Sequence, residues 1–480
     1  MINKKLYNIL ILALGILLTI TPSLNAYAAP TAQELAEQRK NLPIQSNSYE
    51  NWPDGPAVSA QSAIVMDVDS GAVLYAKNID EKMYPASTTK IMTCLLAVEN
   101  AQMNENIKFS YDAVFGVPRD GSNMGIDVGE ILPMEDCLYG ILVGSANEVA
   151  AAVGEHVGGD TETFLQMMND RAKELGCKNT SFMNANGLHD DNHYTTAYDL
   201  ALIARAFFAN DYLANIANTP RVHFEPTATQ PDDFYLNNKN KLVSGEIKYE
   251  YYLGGKTGYT SQARQTLVSC AEKDGMRLVC VVMKEETPDQ FNDTVTLFNY
   301  GFSNFKKIKV SEVETKYTTN NTGLFDAGQD IFGSSKSILH LDNNSYIVIP
   351  SSAEFTDVES SIGYDNLSAN QIALINYTYN GIFVGSVPVN LAENTESYDF
   401  ESASTSVNNS VTIINVKTVI LWILGLAIFL SVVLFISKYI NHYHFGGKKG
   451  RMAKKRRKRH VQRSVSPYRN FNFDDIDLRK

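Results

Sequence analysis

The chain has 480 residues, 44% hydrophobic and 20% charged. That is enough to bury a sizeable core and, at roughly 150 residues per folding unit, to hold two or three of them. Its 30 Gly and 15 Pro are ordinary amounts, which excludes collagen-like and wholly disordered chains, and five Cys in this length cannot make a disulfide scaffold. The formal charge of −11 conceals an asymmetry, because ten Lys or Arg crowd residues 448–463 and leave a strongly acidic body.

In chain order, residues 1–28 read as a secretory signal. Lys4 and Lys5 precede an apolar run over 9–18 and the small-x-small site Ala26-Tyr27-Ala28. Ten apolar residues cover only about 15 Å of helix, half a bilayer core, so this run does not span. Residues 29–57 form a polar lead-in with a turn at Pro53-Asp54-Gly55-Pro56. A strand hairpin is expected over 62–67 and 72–76, around Asp69-Ser70-Gly71. A helix-rich stretch follows to about 217. Within it Phe164, Leu165, Met168, Ala172 and Leu175 repeat at helical spacing and stop at Gly176, and Thr196-Ala197-Tyr198-Asp199 resembles a capping box opening an apolar helix over 200–208.

Over 253–283 the period changes to that of a second hairpin, turning at Asp274-Gly275. A two-residue loop there puts Cys270 and Cys280 on opposite faces, unable to bridge, whereas a three-residue loop puts them on the same face. Buried free thiols are the default for all five Cys. Helical 293–300 closes this part, and the two hairpins are expected to share one sheet with helices between them. From 306 to 391 the chain is β-branched and turn-rich, which predicts a small all-β domain. Residues 392–417 read as a linker. Residues 418–437 carry no formal charge and are long enough to cross about 30 Å of hydrocarbon.

The basic run in 438–480 places the C-terminus in the cytoplasm by the positive-inside rule. Beside a membrane helix, orientation and anionic-lipid contact account for it without nucleic acid. The body is therefore expected outside the cytoplasmic membrane, and its acidity argues against clamping long polyanions.

Three short motifs carry the chemistry. In Tyr84-Pro85-Ala86-Ser87-Thr88-Thr89-Lys90, Pro85 marks a helix start, so Ser87 and Lys90 share one helical face. A serine hydroxyl needs an adjacent base to attack. Lys serves only when neutral, which at pH 7 requires its pKa to fall about 3 units, or roughly 4 kcal/mol. Burial and a second nearby cation are the two ways to supply that. Gly144-Ser145-Ala146-Asn147 places a hydroxyl and an amide on a loop between helical stretches. Gly254-Gly255-Lys256-Thr257-Gly258-Tyr259-Thr260 enters a strand on which Lys256 and Gly258 face one way and Thr257 the other. Exposed edge N–H groups, a Lys and a hydroxyl suit an extended peptide ending in carboxylate. Each motif alone is common. The pair His189 and His193, four apart, has no helix to align it as a metal site and reads as polar loop.

The order S-x-x-K, S-x-N, K-T-G, each in its own helix, loop and strand context, is a specific signature. By it the sequence resembles the serine D-alanyl-D-alanine carboxypeptidases, the low-molecular-mass penicillin-binding proteins (peptidase S11-like). Asp67-Val68-Asp69-Ser70-Gly71, Ala76-Lys77-Asn78, Gly121-Ser122, Asn186-Gly187-Leu188, Asn238-Lys239-Asn240 and Tyr300-Gly301-Phe302 extend the likeness over about 58–390. The resemblance implies an α/β, β-lactamase/transpeptidase-like catalytic domain over 58–305, an antiparallel sheet with a helical cluster.

It further implies Ser87 as acyl-accepting nucleophile, Lys90 as its base and Ser145 as proton relay. Asn147, Lys256, Thr257, Gly258 and Tyr259 would bind substrate, with backbone N–H of Ser87 and Tyr259 as the oxyanion hole. The substrate would be a peptidoglycan stem peptide ending in D-Ala-D-Ala, β-lactams would acylate Ser87, and no cofactor or metal is needed. A D,D-endopeptidase, a class A-type β-lactamase and a non-catalytic β-lactam sensor are the competing functions. The β-lactamase lacks its Glu-x-x-Leu-Asn segment here, and the sensor lacks a sizeable cytoplasmic effector. Arg264 departs from the pattern, standing where many members carry Gly. It either adds a carboxylate contact or sits on the rim.

Overall fold

The computed structural model describes residues 30–118, 121–317, 339–364, 367–368 and 371–391. The expected signal segment, the linker, the apolar segment 418–437 and the basic tail lie outside these residues. Among the described residues no helix is long and apolar enough to cross a membrane.

The chain opens with helix α1 (Ala32–Lys40) and then strands β1 (Ser62–Asp67) and β2 (Val73–Lys77). Helix α2 (Lys90–Asn100), ribbon strand β3 (Asn106–Lys108), α3 (Tyr111–Phe115), β4 (Ile131–Pro133) and α4 (Met134–Tyr139) follow. Then come α5 (Asn147–Gly158), α6 (Thr161–Glu174), α7 (Ala197–Phe208) and α8 (Asp211–Ala217). A ribbon of β5 (Arg221–Phe224) and β6 (Phe234–Asn237) leads to β7 (Tyr252–Thr260), β8 (Arg264–Lys273), β9 (Met276–Glu285) and α9 (Asp289–Asn304). The last strands are β10 (Phe305–Lys309), β11 (Leu339–Leu341), β12 (Tyr346–Pro350), β13 (Val358–Gly363), β14 (Gln371–Tyr379) and β15 (Ile382–Leu391).

The early and late hairpins join one antiparallel sheet in the order β2-β1-β9-β8-β7. Because strand side chains alternate, both faces are apolar and each needs a cover. Ile64, Met66, Val268, Val279 and Val281 face a cluster with α2, α5, α6, α7 and α8. Ala63, Val65, Leu267, Leu278 and Val282 face a second cluster with α9 and strands β12, β14 and β15. Strands β11-β15-β14-β13 form a four-stranded sheet, and β10 pairs with β12. Strand β7 pairs only with β8 and leaves one edge open. Helix α2 is buried continuously from Lys90 to Ala97, the pattern of a helix surrounded by protein.

At the second hairpin, Lys273 pairs with Met276 and Cys270 with Val279, so the loop has two residues. Asp274 and Gly275 both take positive φ there, the geometry of a type I′ turn. Cys270 lies in the helical cluster and Cys280 in the opposite one, and all five thiols are free. Helix α7 starts as expected, with Thr196 Oγ1 accepting from the N–H of Asp199. The reciprocal half of the capping box is absent. The Asp199 carboxylate turns away to the N–H groups of Lys178 and Asn179.

The lead-in contains a helix that the reading as a polar stretch missed. Thr31 and Glu34 form a full capping box at the start of α1, and the Thr-x-x-Glu spacing carries that signal. Its last turn is tied down by Lys77, a fully buried residue of β2, whose Nζ donates to Arg39 O at 2.7 Å and Val58 O at 2.6 Å. Arg39 O keeps the N–H of Leu42 as a donor, so Lys77→Met strips the buried Val58 carbonyl of its Lys77 donor; it should cost about 1–2 kcal/mol, read as a lower urea midpoint at unchanged m-value.

Candidate active site

Pro85 precedes a single 3-10 turn, Ala86–Thr89, that runs into α2. Thr266 Oγ1 from β8 and Thr88 Oγ1 both donate to Pro85 O, at 3.0 and 2.7 Å. Ala86, immediately before Ser87, takes φ +50°, a left-handed conformation costly for a residue with a Cβ. Two glycines make room for this kinked backbone. Gly187 (φ +83°) lies so close that an added Cβ would stand 1.9 Å from Ala86 O. A Cβ on Gly258 of β7 would stand 2.4 Å from Thr266 Oγ1 and 3.0 Å from Ser87 N. The S-x-x-K turn and the K-T-G strand are therefore in direct backbone contact.

Lys90 is fully buried. Its Nζ lies 3.0 Å from Ser87 Oγ, 2.8 Å from Asn147 Oδ1 and 2.6 Å from Asn186 O. Burial is the main force holding its pKa well below the usual lysine range, and the neighbouring Lys256 ammonium adds to it. A neutral amine has two N–H groups and one lone pair. The oxygens of Asn147 and Asn186 act only as acceptors and take the two N–H groups. The lone pair is left for the hydroxyl of Ser87, so the three contacts around Nζ match a base awaiting the serine proton.

Ser145 follows a π-helical turn, Gly140–Gly144, and sits in the left-handed region at φ +61°. Strain of this kind concentrates at functional sites. Asn147 is the first residue of α5 and donates its N–H to Ser122 O at 2.9 Å. Lys256 is opposite Val268 in β8 and Thr257 opposite Leu267, which lie in different clusters. The two side chains thus leave β7 on opposite faces, as the alternation predicts. Lys256 Nζ donates to Ser145 Oγ at 3.0 Å and to Thr257 O at 2.9 Å. Its pKa is pushed down to about 7 by burial and by Lys239.

A cleft of about 510 Å³ wraps the open edge of β7, lined by Ser87, Ser145, Thr257, Gly258 and Tyr259. Lys90, Asn147 and Lys256 are buried beside it. All eight residues singled out from the sequence thus meet at one place. The sequence did not assign the carbonyl of Asn186, nor Lys239 and Lys241 on the cleft wall, where Lys239 Nζ bonds Ser122 Oγ at 3.0 Å. Their motifs, Asn186-Gly187-Leu188 and Asn238-Lys239-Asn240, carried the likeness but no role.

His193 is occupied. Its Nδ1 accepts from the N–H of Met183 at 3.1 Å, and its Nε2 shares a 2.8 Å hydrogen bond with Thr89 Oγ1. Burial holds its pKa down at about 4, so a neutral ring braces the start of α2. Arg264 grips Glu286 with a two-point fork, 3.1 Å from Nε and 2.5 Å from Nη2. It sits on the hairpin rim with that carboxylate as its partner.

A family description, D-alanyl-D-alanine carboxypeptidase, matches residues 49–287. D-alanyl-D-alanine carboxypeptidase DacF of Bacillus subtilis is 33% identical over 310 residues, covering 60% of this chain and 78% of that protein. The chain belongs to the D-alanyl-D-alanine carboxypeptidase family. DacB2 of Mycobacterium tuberculosis is also 33% identical, over 52% of this chain and 84% of its own length. Among solved structures, penicillin binding protein 5 from Haemophilus influenzae superposes with a TM-score of 0.55 at 27% identity, covering 71% of this chain and 98% of its own. The mixed α/β architecture is that of the penicillin-binding, transpeptidase-like fold.

The contact between Gly187 and the Ser87 turn gives a direct test. Gly187→Ala adds a Cβ at a left-handed position and against Ala86 O, so it should destabilise by about 2 kcal/mol or more, seen as a lowered thermal midpoint. The same substitution at Gly159, also at positive φ but with nothing within 4 Å, should cost clearly less.

Proposed function

We propose that the chain is a serine D,D-carboxypeptidase, removing the terminal D-alanine from peptidoglycan stem peptides through a Ser87 acyl-enzyme. The observation that carries this reading is the coordination of Lys90 Nζ, with two acceptor-only partners and the Ser87 hydroxyl in its remaining direction.

The substrate peptide lies along the open edge of β7 as an added strand, its terminal carboxylate near Lys256 and Thr257. Ser87 Oγ attacks the carbonyl before the last D-Ala while its proton passes to Lys90 Nζ. The oxyanion that forms is held by the N–H groups of Ser87 and Tyr259, each such donor typically worth about 10²–10³ in rate. Collapse of the intermediate breaks the C–N bond, and the departing amine takes a proton by way of Ser145. Water then attacks the ester, with Lys90 again as the base, and frees Ser87 and the shortened peptide. Asn147 aligns the substrate amide and holds Lys90. β-Lactams, strained amides of similar shape, acylate the same Ser87 and leave slowly.

The same reading extends to the cell. Segment 1–28 directs export, 306–391 acts as a β domain beside the catalytic part, and 418–437 anchors the chain by a single crossing with 438–480 in the cytoplasm. Reporter fusions after residue 410 and after residue 445 test this. The first should report from outside and the second from inside.

Two measurements test the chemistry. Purified chain should form a stoichiometric penicillin adduct on Ser87 and release D-alanine from a D-Ala-D-Ala peptide; an adduct without D-alanine release contradicts the carboxypeptidase reading, and rapid penicillin turnover points to a β-lactamase. The acylation rate should rise with pH as Lys90 loses its proton. Removing a neighbouring cation lets Lys90 hold that proton to higher pH, so Lys256→Gln should move the acid limb upward.

A further inference from the structure

A second cavity, of about 420 Å³, opens between α1 and the β7–β8 hairpin and shares no lining residue with the catalytic cleft. Three of its lining side chains are cations, Arg39, Arg264 and Lys284, and the rest include Gln38, Gln61 and Gln262. The carboxylate bound to these cations is Glu286, held by two nitrogens of Arg264 and one of Arg39. The cavity therefore keeps an excess of positive charge on a chain whose formal charge is −11.

The donors left over have a particular arrangement. The Arg39 side chain is 8% exposed and spends only Nη1 on Glu286, at 3.3 Å. Its Nε and Nη2 donate to no group among the described residues. These two nitrogens lie on one edge of the guanidinium and present parallel N–H groups, the geometry that grips a carboxylate or phosphate in two prongs. Arg264 already holds the Glu286 carboxylate by that same edge, an internal example of the contact. The Lys284 side chain has no hydrogen bond or ion pair among the described residues. Arg264 and Lys284 both stand at φ +55°, where a side chain is strained. Such strain persists when surrounding structure enforces it, and it clusters at ligand sites.

We propose that this cavity is an oxyanion-binding site, taking one carboxylate or phosphate group between the free edge of Arg39 and the Lys284 ammonium.

The test uses the full chain as Ser87→Ala and titrates it with glutarate and with inorganic phosphate at constant ionic strength, followed by calorimetry. Because the readout is binding, it stands whether or not the chain has the proposed carboxypeptidase activity. The expected result is saturable binding of one anion per chain, weakened at least tenfold by Lys284→Ala and by Arg39→Gln. Binding of glutarate alone assigns a carboxylate ligand, and binding of phosphate alone assigns a phosphate. Lys284→Ala removes a side chain with no hydrogen-bond or ion-pair partner among the described residues, so a folded variant is available even if Arg39→Gln loosens α1. No saturable binding of either anion, or binding equal in wild-type and Lys284→Ala backgrounds, overturns the proposal.

Discussion

Two lysine ammonium groups placed out of water beside one another are the constraint on which this site depends. Charged, Lys90 and Lys256 would each lose their hydration and repel the other, and both effects favour the neutral form. The fold sets this up by starting the buried helix α2 at Lys90 and by turning Lys256 inward from an edge strand. A depression of about 3 units, roughly 4 kcal/mol, is what a lysine needs to act as a base near pH 7. Burial and the neighbouring Lys256 both push the Lys90 amine in that direction.

The rest of the architecture serves to hold that placement. The nucleophile turn is pinned from β8 through Thr266 and the carbonyl of Pro85, and crowded on two sides by Gly187 and Gly258. Ala86, next to Ser87, and Ser145 itself both hold left-handed backbone. The open edge of β7 remains as the place where an extended peptide can add its own hydrogen bonds.

Much of this was legible in the sequence, and the reasons are local. Ser87 and Lys90 are one helical turn apart, and Lys256 and Thr257 alternate as any strand must, whereas Asp274-Gly275 marked a hairpin but left its loop length, and so its register, to the pairing of Lys273 with Met276. The carbonyl of Asn186 was not legible, because a backbone acceptor leaves no residue-type signal. The pairing of Arg264 with Glu286 and Arg39 was equally hidden, since those residues meet only after the lead-in, the hairpin and the end of β9 come together. Helix α1 was missed for a different reason: its apolar face is weak, and only the Thr31–Glu34 cap marked it. The capping motif at Thr196 shows the converse, where a local pattern was half overridden because Asp199 found two backbone N–H partners outside its helix.

The protonation state of Lys90 in the resting chain is the quantity on which the account turns. Lysine labelled at Cε with ¹³C, followed by NMR across pH and assigned by comparison with Lys90→Ala, reports it directly. The account predicts that the Lys90 resonance titrates well below the ordinary lysine range. A Lys90 signal that remains that of an ammonium until about pH 10, the ordinary lysine range, would contradict it.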